Sequence, residues 1–125
     1  MMTDIIKKRY NFNLITGYPN SDADCFYYYD GPKIFFEQDA SGQLWFLYFA
    51  DDNMFMCFPM ESREDLRPML DNQMPIREAL MARAEAFVIA WTSHNGFLSQ
   101  SIDWSDPSFT QYLPNPDVFM SRDGR

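Results

Sequence analysis

The chain has 125 residues, of which 46% are hydrophobic and 18% aromatic, which is enough apolar surface to build one folded domain and too little length for two. A formal net charge of -8 argues against direct nucleic-acid binding, because affinity for phosphates depends on lysine and arginine displacing counterions. The longest nearly uncharged apolar run, Gln43 to Ala50, falls far short of the ~20 residues of a membrane span, so no membrane association is expected.

Lys7, Lys8 and Arg9 lead into polar Asn11 and Asn13 rather than an apolar stretch, so the start does not read as a secretory leader. Cys25 and Cys57 lack Cys-x-x-Cys spacing and are expected as buried thiols in a reducing cytoplasm. From Tyr10 to Ile15 alternation places Tyr10, Phe12 and Leu14 on one side, which predicts a half-buried strand. Residues 1–25 are thus read as an N-terminal extension and strand. Cys25 to Tyr29 is a second β-prone run, closed by a structural turn at Asp30, Gly31 and Pro32.

Ile34 to Glu37 and Leu44 to Phe49 flank Asp39-Ala40-Ser41-Gly42, which reads as a hairpin, and Asp51-Asp52-Asn53 turns the chain into Met54 to Phe58. Sequential pairing of these strands predicts an antiparallel meander. After Pro59, Ser62 with Glu64 and Asp65 marks a helix start, and Pro68 demands a short or 3₁₀-like first segment. Pro75 opens a second helix through Ile76, Ala79 and Leu80. Phe87 to Thr92 returns to strand, with Phe97 to Ile102 as its hairpin partner beyond Ser93-His94-Asn95-Gly96. Residues 106–125 read as a Pro-rich C-terminal arm, extended and packed back by Phe109, Tyr112, Leu113 and Val118. The expected fold is a single α+β domain over 1–125: a meander sheet of about five to seven strands with one or two short helices on one face.

Motifs for chemistry are sparse. His94 is the only histidine, so Cys25 or Cys57 with His94 is the sole thiol–imidazole combination, and nothing in the spacing joins them. Zinc spacing is absent, and Asp22, Asp24, Asp51 and Asp52 read as turn residues rather than calcium ligands. Without a Gly-rich loop no nucleotide cradle is expected; no cofactor or metal is assigned. Tyr27, Tyr28, Tyr29, Trp45, Trp91 and Trp104 could stack bases, but with no interleaved cations they are read as core and cross-strand pairs. Met54, Met56, Met60, Met69, Met74 and Met81 have two readings. They fill the seam between helix and sheet, or with Tyr112 and Phe119 they form a candidate interaction surface.

The order Tyr28-Tyr29-Asp30-Gly31-Pro32, an apolar strand, Asp39-x-x-Gly42, an aromatic strand, Pro59 with Ser62, and Ile76-Arg77-Glu78-Ala79-Leu80 resembles a small uncharacterised bacterial and phage domain family that opens with Tyr-Asp-Gly-Pro. The resemblance spans roughly Phe26 to Ile89, with a weaker echo at Tyr112-Leu113-Pro114. It implies a compact α+β domain and a bacterial or phage setting, and carries no catalytic residues.

Together these readings predict a non-enzymatic protein-interaction domain with a protein partner, a second copy among the candidates. One alternative is an acidic inhibitor or decoy that occupies a basic groove on a nucleic-acid-handling or defence protein. Another is a small hydrolase or ligand-binding domain using Asp30, Asp51, Asp52 or His94.

Overall fold

The computed structural model describes residues 10–91 and 97–120. Six strands form one antiparallel sheet in sequence order: β1 (Cys25–Tyr28), β2 (Pro32–Gln38), β3 (Leu44–Asp51), β4 (Met54–Met60), β5 (Phe87–Trp91) and β6 (Phe97–Ser101). Strands consecutive in sequence are neighbours in the sheet; short turns join β1 through β4, and the helical layer lies between β4 and β5. The β2–β3 hairpin keeps its register because Asp39 caps it. Oδ1 of Asp39 accepts from the Ser41 and Gln43 N–H groups, and Gly42 takes a positive φ of 95°.

The central strands are buried on both faces, which is why β3 reads as a continuous apolar run rather than an alternating one. Register pairing separates the two cores. Phe36, Phe46 and Phe58 align across β2, β3 and β4 on one face, while Phe35, Leu47, Cys57 and Phe87 align on the other. The three phenylalanine rings lie 5.2 and 6.2 Å apart, and each buried ring contributes roughly 1.5–3 kcal/mol by leaving water.

The first face is covered by helices and the C-terminal arm, which supply Leu66, Met69, Ile76, Leu80, Phe109 and Leu113 to its core. A 3₁₀ turn at Arg63–Leu66 runs into α1 (Arg67–Leu70), and α2 (Ile76–Met81) follows. Ser62 and Asp65 form a reciprocal capping box, and the 3₁₀ start leaves Pro68 in the first turn of α1, where a missing N–H costs nothing. Pro75 sits one residue earlier than expected, as the N-cap of α2. The arm contains α3 (Pro107–Thr110), where an irregular segment was expected. Pro107 can occupy the first helical position, and the Asp106 side chain accepts the N–H of Ser108 at 2.9 Å. Arg77 fastens the arm by donating to the carbonyls of Thr110 and Pro114, and Ile76 N–H donates to Val118.

The second face is covered by an N-terminal strap rather than by another strand. Tyr10, Phe12 and Ile15 pack on Phe35, Trp45, Leu47 and Ile89. The strand expected over Tyr10 to Ile15 is instead a 3₁₀ turn at Phe12–Leu14. The Asn11 side chain accepts the N–H of Asn13, giving the backbone a local partner that competes with a sheet ladder.

Candidate interaction surface

Of the two readings of the methionines, seam filling or an exposed face, their burial fits the first. Met56, Met60 and Met69 are buried in the seam beneath the helices, and Met54, Met74 and Met81 are half-buried against the same cluster. Tyr112 and Phe119 are half-buried as well. The short helices lie directly on the sheet, so these flexible side chains fill the gap between two layers. The seam reading holds at these positions.

The apolar surplus emerges elsewhere, on β1 and the residue after it. Phe26, Tyr27, Tyr28 and Tyr29 are 41%, 54%, 70% and 70% exposed, where core packing was expected for the tyrosines. Two causes combine. β1 is an edge strand of four residues, and its register against β2 slips twice, between Cys25 and Tyr27 and between Tyr27 and Tyr28. Such bulges bend an edge away from regular pairing. Trp45, by contrast, lies at the centre of the sheet and is fully buried, with Nε1 donating to Asp39 Oδ2 at 2.9 Å.

The strand is held firmly in place. The Phe26 ring meets Phe36 edge-on at 5.8 Å, and just before β1 Asp24 accepts two hydrogen bonds from Arg63, at 2.9 and 3.0 Å. Such a bidentate pair fixes geometry as well as charge. At the other end of β1, Asp30 and Gly31 take positive φ values of 58° and 124°, so Tyr29 to Gly31 makes the tight link into Pro32. Aspartate tolerates the left-handed region and glycine has no Cβ to oppose it.

A groove of about 320 Å³ runs beside this strand between Tyr27, Tyr29, Lys33, Ile34, Tyr48 and Phe49. Burial pushes the Tyr48 phenol above its ordinary range, keeping it neutral. The Lys33 ammonium lies 4.2 Å from the centre of the Phe49 ring. Lys33 and Phe49 also line a second cleft, of about 340 Å³, between the Asp30–Pro32 turn, the Asp52–Asn53 turn and the Thr16–Tyr18 loop.

Two carboxylates are buried, Glu37 behind the Thr16–Gly17 loop and Asp39 in the β2–β3 hairpin. Glu37 is 1% exposed and accepts from Thr16 N–H, the Thr16 hydroxyl and Gly17 N–H. Burial raises its carboxyl above the ordinary value, the three hydrogen bonds offset only part of that, and the Asp39 charge adds to it. For Asp39 burial acts in the same direction. There the donors Ser41, Trp45 and Gln43 outweigh it and hold the group below its ordinary value.

Among the described residues, most of those weighed for chemistry are engaged elsewhere. Burial pushes the Cys57 thiol far up, and Cys25 is a separate, half-buried free thiol. His94 lies outside the described residues. Asp24 is taken by Arg63, and Asp51 accepts the N–H of Asp52. Asp30 and Asp52 both line the second cleft. Among the described residues no group of three or more histidine, cysteine, aspartate or glutamate side chains is arranged to hold a metal ion. Within the same residues no helix is long and apolar enough to cross a membrane. Comparison with protein-family models, with curated proteins and with solved structures finds no match to this chain.

Proposed function

We propose that this chain is a non-enzymatic interaction protein that meets a partner protein through the tyrosine-rich edge at β1. A cytoplasmic, bacterial or phage setting belongs to the same reading, in keeping with its free thiols and the resemblance around Tyr29-Asp30-Gly31-Pro32. The observation that carries it is the run of four consecutive exposed aromatic side chains, Phe26 to Tyr29, along β1 and into the turn after it, beside the Arg63–Asp24 pair. Exposing such rings to water is unfavourable, whereas tyrosine at an interface offers a rigid apolar ring and a hydrogen-bonding tip with little rotamer entropy to lose.

The test is site-specific photocrosslinking in the host cell with benzoylphenylalanine at Tyr28, compared with the same probe at the exposed Glu78 of α2. A discrete adduct at Tyr28 that is absent at Glu78 is expected, and an adduct of doubled chain mass would identify a second copy as the partner. Identical adducts at both positions, or none at Tyr28, would overturn the reading.

A further inference from the structure

We propose that the groove beside β1 holds the C-terminal residue of the partner chain, its carboxylate at Lys33 and its apolar side chain on the bed formed by Tyr27, Ile34 and Tyr48. This rests on the interaction reading above and names the partner chemistry that the tyrosine edge selects.

The bed is set by register. Tyr27 pairs with Ile34, and Ile34 with Tyr48, so three bulky side chains stand in one row across β1, β2 and β3. Tyr48 packs against the first core and lines the groove. Among the described residues nothing hydrogen-bonds to its hydroxyl, and burial alone accounts for the upward shift of its phenol. A phenol withdrawn from water ordinarily finds a hydrogen-bond partner, and the groove is where an outside acceptor can reach this one.

The groove selects an anion. The chain carries 18 aspartate and glutamate residues, and none of them lines this groove. Its cation, Lys33, is half-buried and makes no ion pair with any described residue. The Phe49 ring holds the ammonium from one side, at 4.2 Å, and leaves the remaining N–H groups for an acceptor. A charged acceptor bonds such a donor more strongly than a neutral carbonyl does, so a carboxylate is favoured. One ammonium balances one negative charge, whereas a phosphomonoester carries about two and needs a second cation.

Size and shape favour a chain end. At about 320 Å³ the groove lies at the small end of ligand sites, with room for one residue rather than a length of peptide. A C-terminal residue presents a carboxylate and a side chain from the same Cα, so it meets Lys33 while lying on the row. An aspartate or glutamate side chain brings the charge without the apolar group.

The experiment is an NMR titration of the full chain with N-acetyl-glycyl-phenylalanine, with its C-terminal amide and with 3-phenylpropanoate, which has the ring and the carboxylate but no peptide. Saturable shifts at the Tyr27, Ile34 and Tyr48 amides are expected with the peptide acid, and much weaker ones with the amide. Lys33→Gln removes the charge and keeps most of the stem, and affinity for the peptide acid should fall about fivefold. Tyr48→Phe removes the hydroxyl alone and should weaken binding about threefold. No saturable shift, an equal response to the amide, or unchanged affinity in Lys33→Gln would overturn the proposal. Unchanged affinity in Tyr48→Phe would overturn the part given to that hydroxyl. Tighter binding of 3-phenylpropanoate than of the peptide acid would overturn the assignment to a chain end. The Tyr28 crosslink separates the two readings: a silent titration with adducts intact removes only the groove's role. A titration response without adducts removes the partner chain, and the proposed occupant with it.

Discussion

Glu37 accepts both the backbone N–H of Thr16, at 2.6 Å, and its hydroxyl, at 2.8 Å, so one buried carboxylate ties the N-terminal strap to the sheet. The same strap covers Trp45 and Leu47 and ends in the loop that walls the cleft. A single acid thus couples the second core to the candidate surface.

The two buried acids should leave opposite marks on stability against pH. Glu37 has a raised carboxyl in the fold, so its contribution is fully present below the ordinary value of 4.5 and is lost as pH rises through the raised value. Asp39 is lowered, so its contribution is present above 3.8 and is lost as pH falls through the lowered value. Urea unfolding across pH should show the wild type losing stability relative to Glu37→Gln on going upward from 4.5. Relative to Asp39→Asn it should lose stability on going downward from 3.8. Parallel curves for wild type and either variant would contradict the assignment for that acid.

Gly17→Ala should cost more than Gly31→Ala. Both glycines have positive φ, which costs an L-residue roughly 1–2 kcal/mol, but only at Gly17 does the new methyl meet the Trp91 ring. Thermal melts should rank the two variants in that order. A change in tryptophan fluorescence is expected for Gly17→Ala alone.

Surface and core aromatics should separate cleanly. Tyr28→Ser, at an exposed edge, is expected to change stability by no more than about 0.5 kcal/mol. Phe46→Ala, at a fully buried position between Phe36 and Phe58, should cost about 3–5 kcal/mol. Chemical denaturation of the two variants checks this. A large loss for Tyr28→Ser would mean that β1 supports the fold rather than a partner.

The two thiols should react at very different rates. Cys57 is fully buried with its thiol held protonated, whereas Cys25 is partly accessible. Ellman's reagent should modify Cys25 in the native protein and reach Cys57 only in denaturant. Equal rates in native buffer would contradict the buried position of Cys57.

Much of the sheet was legible because its signals are local. Asp39 and Gly42 close the β2–β3 hairpin by their own side-chain and backbone chemistry, and Ser62 with Asp65 starts the helical layer in the same way. The strap was misread because alternation at Tyr10, Phe12 and Leu14 is equally compatible with a short 3₁₀ turn once Asn11 caps it. The tyrosines were misread for a different reason. Phe26 to Tyr29 are as β-prone as Leu44 to Phe49, and the difference lies in what stands beside each strand. One signal was present: four aromatics in a row on and just after the first strand of a meander, where one flank has no partner strand among the described residues.

By itself, the sequence determined the α+β class, the turns and the meander pattern, since these follow from backbone preferences and from runs of bulky side chains acting over a few residues. Only the tertiary structure decided that Trp45 is buried while Tyr28 is exposed, and that Asp30 and Asp52 line one cleft. Exposure and convergence depend on neighbours distant in the chain, and no short-range pattern encodes them.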